Sequence, residues 1–184
     1  MQVPTSERGV TPVVSNLLLV AIVVILAAVV SVFALGVAED TNEAGPVVSE
    51  SSGEFVAGGN RTDQVVRISH VAGDDVPVES IEIVVRAPDC DTEARLVDLP
   101  SSGDDNTIDS SHIEGDTSLI DKGPGQAGDL IGSETNNVFT AGETIEFRVA
   151  IGGCDFRVAG NDSLTVLVVH TRSDSILIEK ELRA

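Results

Sequence analysis

The 184-residue chain has no tryptophan and no tyrosine, five phenylalanines, one methionine and two cysteines. A hydrophobic core must therefore come from valine, isoleucine and leucine. Basic residues are also scarce, with 11 Lys+Arg against 30 Asp+Glu, a net charge of −19. A surface this acidic repels phosphate, which argues against nucleic acid as a partner. At this length one domain with a short appendage is expected. The charge is unevenly spread. Residues 1–37 carry one Glu and one Arg, so the other 147 residues hold the whole imbalance, with 29 acids and 10 bases. A neutral, greasy end joined to a strongly acidic body does not describe an ordinary cytosolic enzyme.

No charged residue occurs from Gly9 through Ala38, and from Leu17 to Val37 only Ser31 is polar. As a helix, Leu17–Val37 spans about 32 Å, enough for a bilayer core of about 30 Å. Apolar residues cover every side, so such a helix has no solvent face and must sit in lipid or among other such helices. Small residues at Ala27 and Ser31, or Ala34 and Ala38, have the spacing that lets helices approach closely. A cleaved secretory signal would need a basic start and a shorter apolar run. A plain uncleaved anchor would fit the length, but the residues before the run point elsewhere.

Those residues read Ser6-Glu7-Arg8-Gly9-Val10-Thr11-Pro12-Val13-Val14. A polar stub ending in Arg-Gly, followed at once by an apolar stretch, resembles the class III signal of archaeal type IV pilins, above all the haloarchaeal group. The helix sequence Leu19–Val30 has the Val/Ile/Ala/Leu composition of that family. Thr11, Val14 and Ser15 stand where the family has Ser, Ile and Gly, and Asn16 is an unusual polar residue early in the helix. The resemblance implies a processing site at Arg8, Gly9 and Val10, cut between Gly9 and Val10 by a prepilin peptidase. It makes Thr11, Pro12, Val13 and Val14 the start of the mature helix. It further implies a single-pass membrane precursor, assembly machinery, other pilin subunits as partners, and a cell-surface pilus that adheres to surfaces or other cells. The physics is compatible with this. Pro12 falls in the first turn of the mature helix, where a missing N–H costs little. Removing Glu7 and Arg8 leaves an apolar rod that can exchange lipid for its own kind.

Residues 39–53 are acidic and rich in Ser and Gly, the composition of a linker. Strand patterns follow. Ile81, Ile83 and Val85 alternate with Glu82, Val84 and Arg86. Ile145, Phe147, Val149 and Ile151 alternate with Glu146, Arg148 and Ala150, and Leu164, Val166 and Val168 with Thr165, Leu167 and Val169. Such period-two alternation predicts half-buried strands. Val65–Val71 and Ile176–Glu181 are further candidates, Thr171–Asp174 reads as a hairpin turn, and Glu54–Gly58 as a short first strand. From 99 to 137 the pattern fails among turn formers, which predicts a long surface insertion with short strands near 108–113 and 118–120. The expected fold is α+β: a cleavable leader at 1–9, a long N-terminal hydrophobic helix at 10–38, a linker at 39–53, and an antiparallel β-sandwich head at 54–184.

Cys90 and Cys154 are expected to form a disulfide if the head lies outside the cell. Free thiols or a metal site are the alternatives, but no histidine stands at zinc-ligand spacing. Asp104, Asp105, Asn106 and Asp109 lack the pattern of a calcium loop, and no metal or other cofactor is expected. His70, His112 and His170 are scattered. No nucleophile elbow, phosphate loop or dinucleotide fingerprint occurs, so no catalytic residue is expected. Asn60-Arg61-Thr62 and Asn161-Asp162-Ser163 are acceptor sequences for N-glycosylation in an exported head. The acid excess suits brine, where the Debye length shrinks to about 3 Å near 1 M salt and screens self-repulsion. A membrane-anchored binding module that never polymerises, and an archaellin-like filament subunit, are the competing readings.

Overall fold

The computed structural model describes residues 10–39, 45–58, 64–101, 105–133, 138–158, 160 and 162–184, with the side chains of 10–12 and 33–39 outside the description. The chain divides into two units, Met1–Asn42 and Glu43–Ala184.

The first unit holds one helix, α1, from Val10 to Glu39. From Val13 through Val32 every side chain is exposed, and this 20-residue stretch is long and apolar enough to cross a bilayer. Ser31 satisfies its hydroxyl inside the helix by donating to the Ala27 carbonyl at 2.8 Å. This back-bond removes the one polar demand that the surface from Leu17 to Val32 would otherwise present to its surroundings.

The second unit is antiparallel β-structure. Its elements are β1 (Val48–Ala57), β2 (Gln64–Gly73), β3 (Val76–Pro77), β4 (Ile81–Ala87), β5 (Thr92–Leu96), β6 (Ile113–Gly115), the single helical turn α2 (Asp129–Gly132), β7 (Val138–Phe139), β8 (Thr144–Arg148), β9 (Ser163–His170) and β10 (Ser175–Arg183). One sheet has the order β1-β2-β8, a second β10-β9-β4-β5-β6, and β3 pairs with β7. The five alternating segments of the sequence are β2, β4, β8, β9 and β10, and Thr171–Asp174 is the turn between the last two. Their inward residues meet as one core: Val66 and Ile68 of β2, Ile145 and Phe147 of β8, Ile83 and Val85 of β4, and Leu164, Val166 and Val168 of β9. The four phenylalanines of this unit are all buried, with Phe55 and Phe156 meeting edge to face at 4.9 Å. Aliphatic side chains fill the rest, as the composition required.

Three features depart from the sequence reading. Strand β1 begins at Val48, within the stretch read as linker, and runs ten residues rather than five. Its Val-Ser-Glu-Ser-Ser-Gly start looks like a linker because only Phe55 in the strand is buried. The pairing with β2 uses backbone groups, which composition does not reveal. Strand β5 was not anticipated; it follows a turn at Pro88–Cys90 and a left-handed Asp91, and buries only Ala94 and Leu96.

The third departure is the 99–137 segment, which is not merely a surface loop. Leu99, Ile108, Leu119, Ile120, Ala127, Leu130 and Ile131 are buried in the shared core. Its backbone pairs along the free side of β8: Asp121 N donates to Arg148 O at 3.0 Å, Arg148 N to Gln126 O at 3.1 Å, and Gly128 N to Glu146 O at 2.8 Å. Residues 105–108 then pair onto 123–127, with left-handed turns at Asp105, Asn106 and Gly125. The apolar residues arrive singly between turns, so no period betrays them. Leu119→Ala should therefore lower stability by about 2 kcal/mol or more, as for other buried leucines. A loss under about 0.5 kcal/mol in urea unfolding, typical of a surface position, would return the segment to the solvent.

Strand β1 is an edge strand, and β10 lies beside it. Lys180 Nζ of β10 donates to the Ser51 carbonyl at 2.8 Å. Arg67 on β2 links the three strands of its sheet, Nε to Glu146 Oε2 on β8 at 2.7 Å and Nη1 to Glu54 Oε2 on β1 at 3.7 Å.

Candidate functional site: the apolar helix and its attached head

The residues singled out in sequence fall in three places. Val10 is the first residue of α1, and Thr11 and Pro12 follow in its first turn. Val13 and Val14 are exposed on the helix surface. Arg8 and Gly9 lie outside the described residues, as do Asn60 and Asn161. No acidic residue stands in the first turn of α1 and no basic residue in its last. The helix ends thus lack the charges that usually offset the helix dipole in water.

Cys90 and Cys154 are bonded, with Cα atoms 5.7 Å apart. The bond ties the β4–β5 corner to the segment before β9. Cys154 is buried, and the backbone around it is sewn down by the buried Gln64, whose Nε2 donates to Cys154 O at 3.4 Å and whose Oε1 accepts from Phe156 N at 2.8 Å. Next to Cys90, the Asp89 carboxylate receives three hydrogen bonds at the start of β9: Ser163 Oγ at 2.7 Å, Ser163 N at 3.0 Å and Asp162 N at 3.1 Å. The Ser163 hydroxyl and amide hold the Asp89 pKa below the ordinary carboxylate value.

A depressed carboxylate pKa favours the folded form above the unfolded-state pKa, and this contribution is lost as pH falls through the folded value. The Ser163 amide resonance is therefore expected to titrate below the ordinary Asp value, this corner loosening as pH falls through that transition. Asp89→Asn should abolish that transition. A midpoint in the ordinary Asp range would mean that the three hydrogen bonds do not persist in solution.

The remaining chemistry is dispersed. His70 is buried in β2 with Nδ1 3.1 Å from the Phe139 carbonyl; because a carbonyl only accepts, Nδ1 carries the proton. His112 meets Asp109, and His170 meets Ser173. These three histidines sit on separate elements and do not converge on a common centre. Among the described residues no three His, Cys, Asp or Glu side chains are grouped to hold a metal. Two shallow grooves on β4, β5 and β6 are lined by charged residues, Arg86, Asp91 and Glu93 in one and Glu93, Arg95 and Glu114 in the other. Ion pairs across the strands, Arg86 with Glu93 and Arg95 with Glu82, already engage most of these. Asp109 and Asp116 receive hydrogen bonds from Ser111 and Ser118, which lower their pKa values.

Sequence comparison bears on the helix. Residues 8–49 match the family described as archaeal type IV pilin, N-terminal. The match starts at Arg8 and so covers Arg8, Gly9 and Val10, all of α1 and the first two residues of β1. An uncharacterized protein of Archaeoglobus fulgidus is 37% identical over 79 residues, which is 43% of this chain and 52% of that protein. The chain thus spans about half the length of the curated relative it matches.

Proposed function

We propose that this chain, whose residues 8–49 carry the archaeal type IV pilin N-terminal pattern, is a structural subunit of a surface pilus. A prepilin peptidase removes residues 1–9 by cutting between Gly9 and Val10. The mature helix first spans the membrane and then packs with its copies in a filament core, while the head lies outside the cell. There the head coats the filament and meets surfaces or other cells. Cys90 and Cys154 suit an oxidising exterior, and Asn60 and Asn161 are then open to glycosylation.

One observation carries this reading: every described side chain of α1, Val13 through Val32, is exposed, while the head closes a core of its own. A helix that is apolar all round has no stable place in water. Lipid and neighbouring copies are close to equivalent surroundings for its apolar area, so close packing selects the bundle. Glu7 and Arg8 would enter that bundle with no counter-charge on the helix, and burying them is costly. Removal of the leader thereby gates assembly. The head's acid excess supports work in concentrated salt, where its self-repulsion is screened.

N-terminal sequencing of material sheared from the cell surface tests the proposal. The expected sequence is Val-Thr-Pro-Val-Val-Ser. Recovery of only the Met1 form, monomeric in the membrane, would instead make the chain an anchored module.

A further inference from the structure

The head begins at a groove of about 250 Å³ whose walls are residues 45–48 and the first three residues of β10, 175–177. None of these seven residues is charged, although 39 of the 147 residues after position 37 are. The grooves on β4, β5 and β6 carry charged residues on their walls. Val47 and Ile176 present their side chains to solvent at 62% and 55% exposure, large values for apolar residues flanking a concave surface.

The groove is built in advance. Val47 N donates to Asp74 Oδ2 at 3.0 Å, and Asp74 N returns a bond to Val47 O at 2.9 Å. Gly45 lies so close to the β9–β10 turn that a Cβ there would collide with Ser173 Oγ. Ser173 is itself fixed, with His170 Nδ1 and Ser175 Oγ each at 2.7 Å. The wall formed by residues 45–48 is thus part of the head and loses little freedom when something binds.

Charge narrows the occupant. Asp74 is hydrogen-bonded to the 45–48 wall, Asp174 immediately precedes the 175–177 wall, and a second head brings the same acid excess to the site. An anionic lipid surface would be repelled for the same reason. The long uncharged stretch of this chain is residues 9–38. Only residues 40–44 separate α1 from Gly45, and they reach about 20 Å at full extension, so bundled helices keep neighbouring helix ends near each groove. We infer that the groove receives the C-terminal half of α1 from a second copy of the chain. This rests on the pilus reading, and adds to it a contact between the head of one subunit and the helix of the next.

The test uses the full chain in cells that assemble it. Ile176→Asp and Val47→Asp place a carboxylate in the groove at exposed positions, so the head should still fold and form its Cys90–Cys154 bond. The leader should still be removed, yet filament yield should fall about tenfold or more, since an unpaired carboxylate resists burial. Val158→Asp, at an exposed apolar position outside the groove, should leave yield unchanged. Oxidising filaments that carry both Ile176→Cys and Val32→Cys should give a ladder of covalent oligomers, whereas Ile176→Cys alone should stay monomeric. Normal filament yield from Ile176→Asp would overturn the inference. Covalent dimers from Ile176→Cys alone would also overturn it, because heads would then be meeting heads. If the unaltered chain is never cut or never polymeric, the pilus reading falls, and this inference with it, before any groove variant is made.

Discussion

Replacing Gly9 with leucine is expected to leave the nine-residue leader attached and to abolish filaments. A peptidase that cuts after glycine accepts a residue without a side chain at that point, and a branched side chain obstructs close backbone approach. The retained leader then keeps Glu7 and Arg8 at the head of a helix with no other charge until Glu39. In the membrane these two residues can stay at the aqueous boundary. In a filament core they would be surrounded by neighbouring helices, and desolvating their two charges costs several kcal/mol for each copy added. Mass spectrometry of the membrane fraction should show the uncut chain, and electron microscopy should show bare cells. Filaments of ordinary number built from uncut chains would refute both the cut and its role. A chain that serves only as an anchored module would be indifferent to this change.

Replacing Cys90 and Cys154 with serine should lower head stability by about 4 kcal/mol, the chain-entropy value for closing a loop of this length. The sequence separation is 64 residues. Much of the head lies inside that loop, including β5, β6, β7 and β8. The unfolded chain without the bond explores far more conformations, so the denaturant slope should steepen as the midpoint falls. Urea unfolding with and without reductant on the unaltered chain supplies the same comparison without mutation. An unchanged midpoint would mean that the Gln64 and Asp89 hydrogen bonds hold this corner unaided.

The parts of the fold legible in sequence are those where side chains report burial by alternation. Ile81–Val85 and Leu164–Val168 each place every second residue inside, and both are central strands of the five-stranded sheet. Strand β1 was half legible because an edge strand with one buried side chain gives almost no pattern. The 99–137 segment was illegible as core because Ile108, Leu119 and Ile131 are separated by turns that destroy any period. Pro88-Asp89-Cys90-Asp91 followed by alternating Glu93, Ala94, Arg95 and Leu96 did hold a signal for the β4–β5 hairpin. The pilin-like N-terminal pattern was legible in the residues from Arg8 onward, where the family match begins, and the helix from its lack of charge. The uncharged groove was not, because its walls are over a hundred residues apart in sequence and only β1 and β10 lying together unite them.

The Lys180 ammonium on the Ser51 carbonyl has one more consequence. In the pilus proposed above, identical domains would be crowded shoulder to shoulder at a local concentration no dilute solution reaches. Open strand margins under such crowding invite neighbours to zip together and fuse into sheets. A lysine drawn across that margin occupies an acceptor that an incoming strand would need, and its charge discourages the approach. In such a filament the domains could be packed densely and still stay separate.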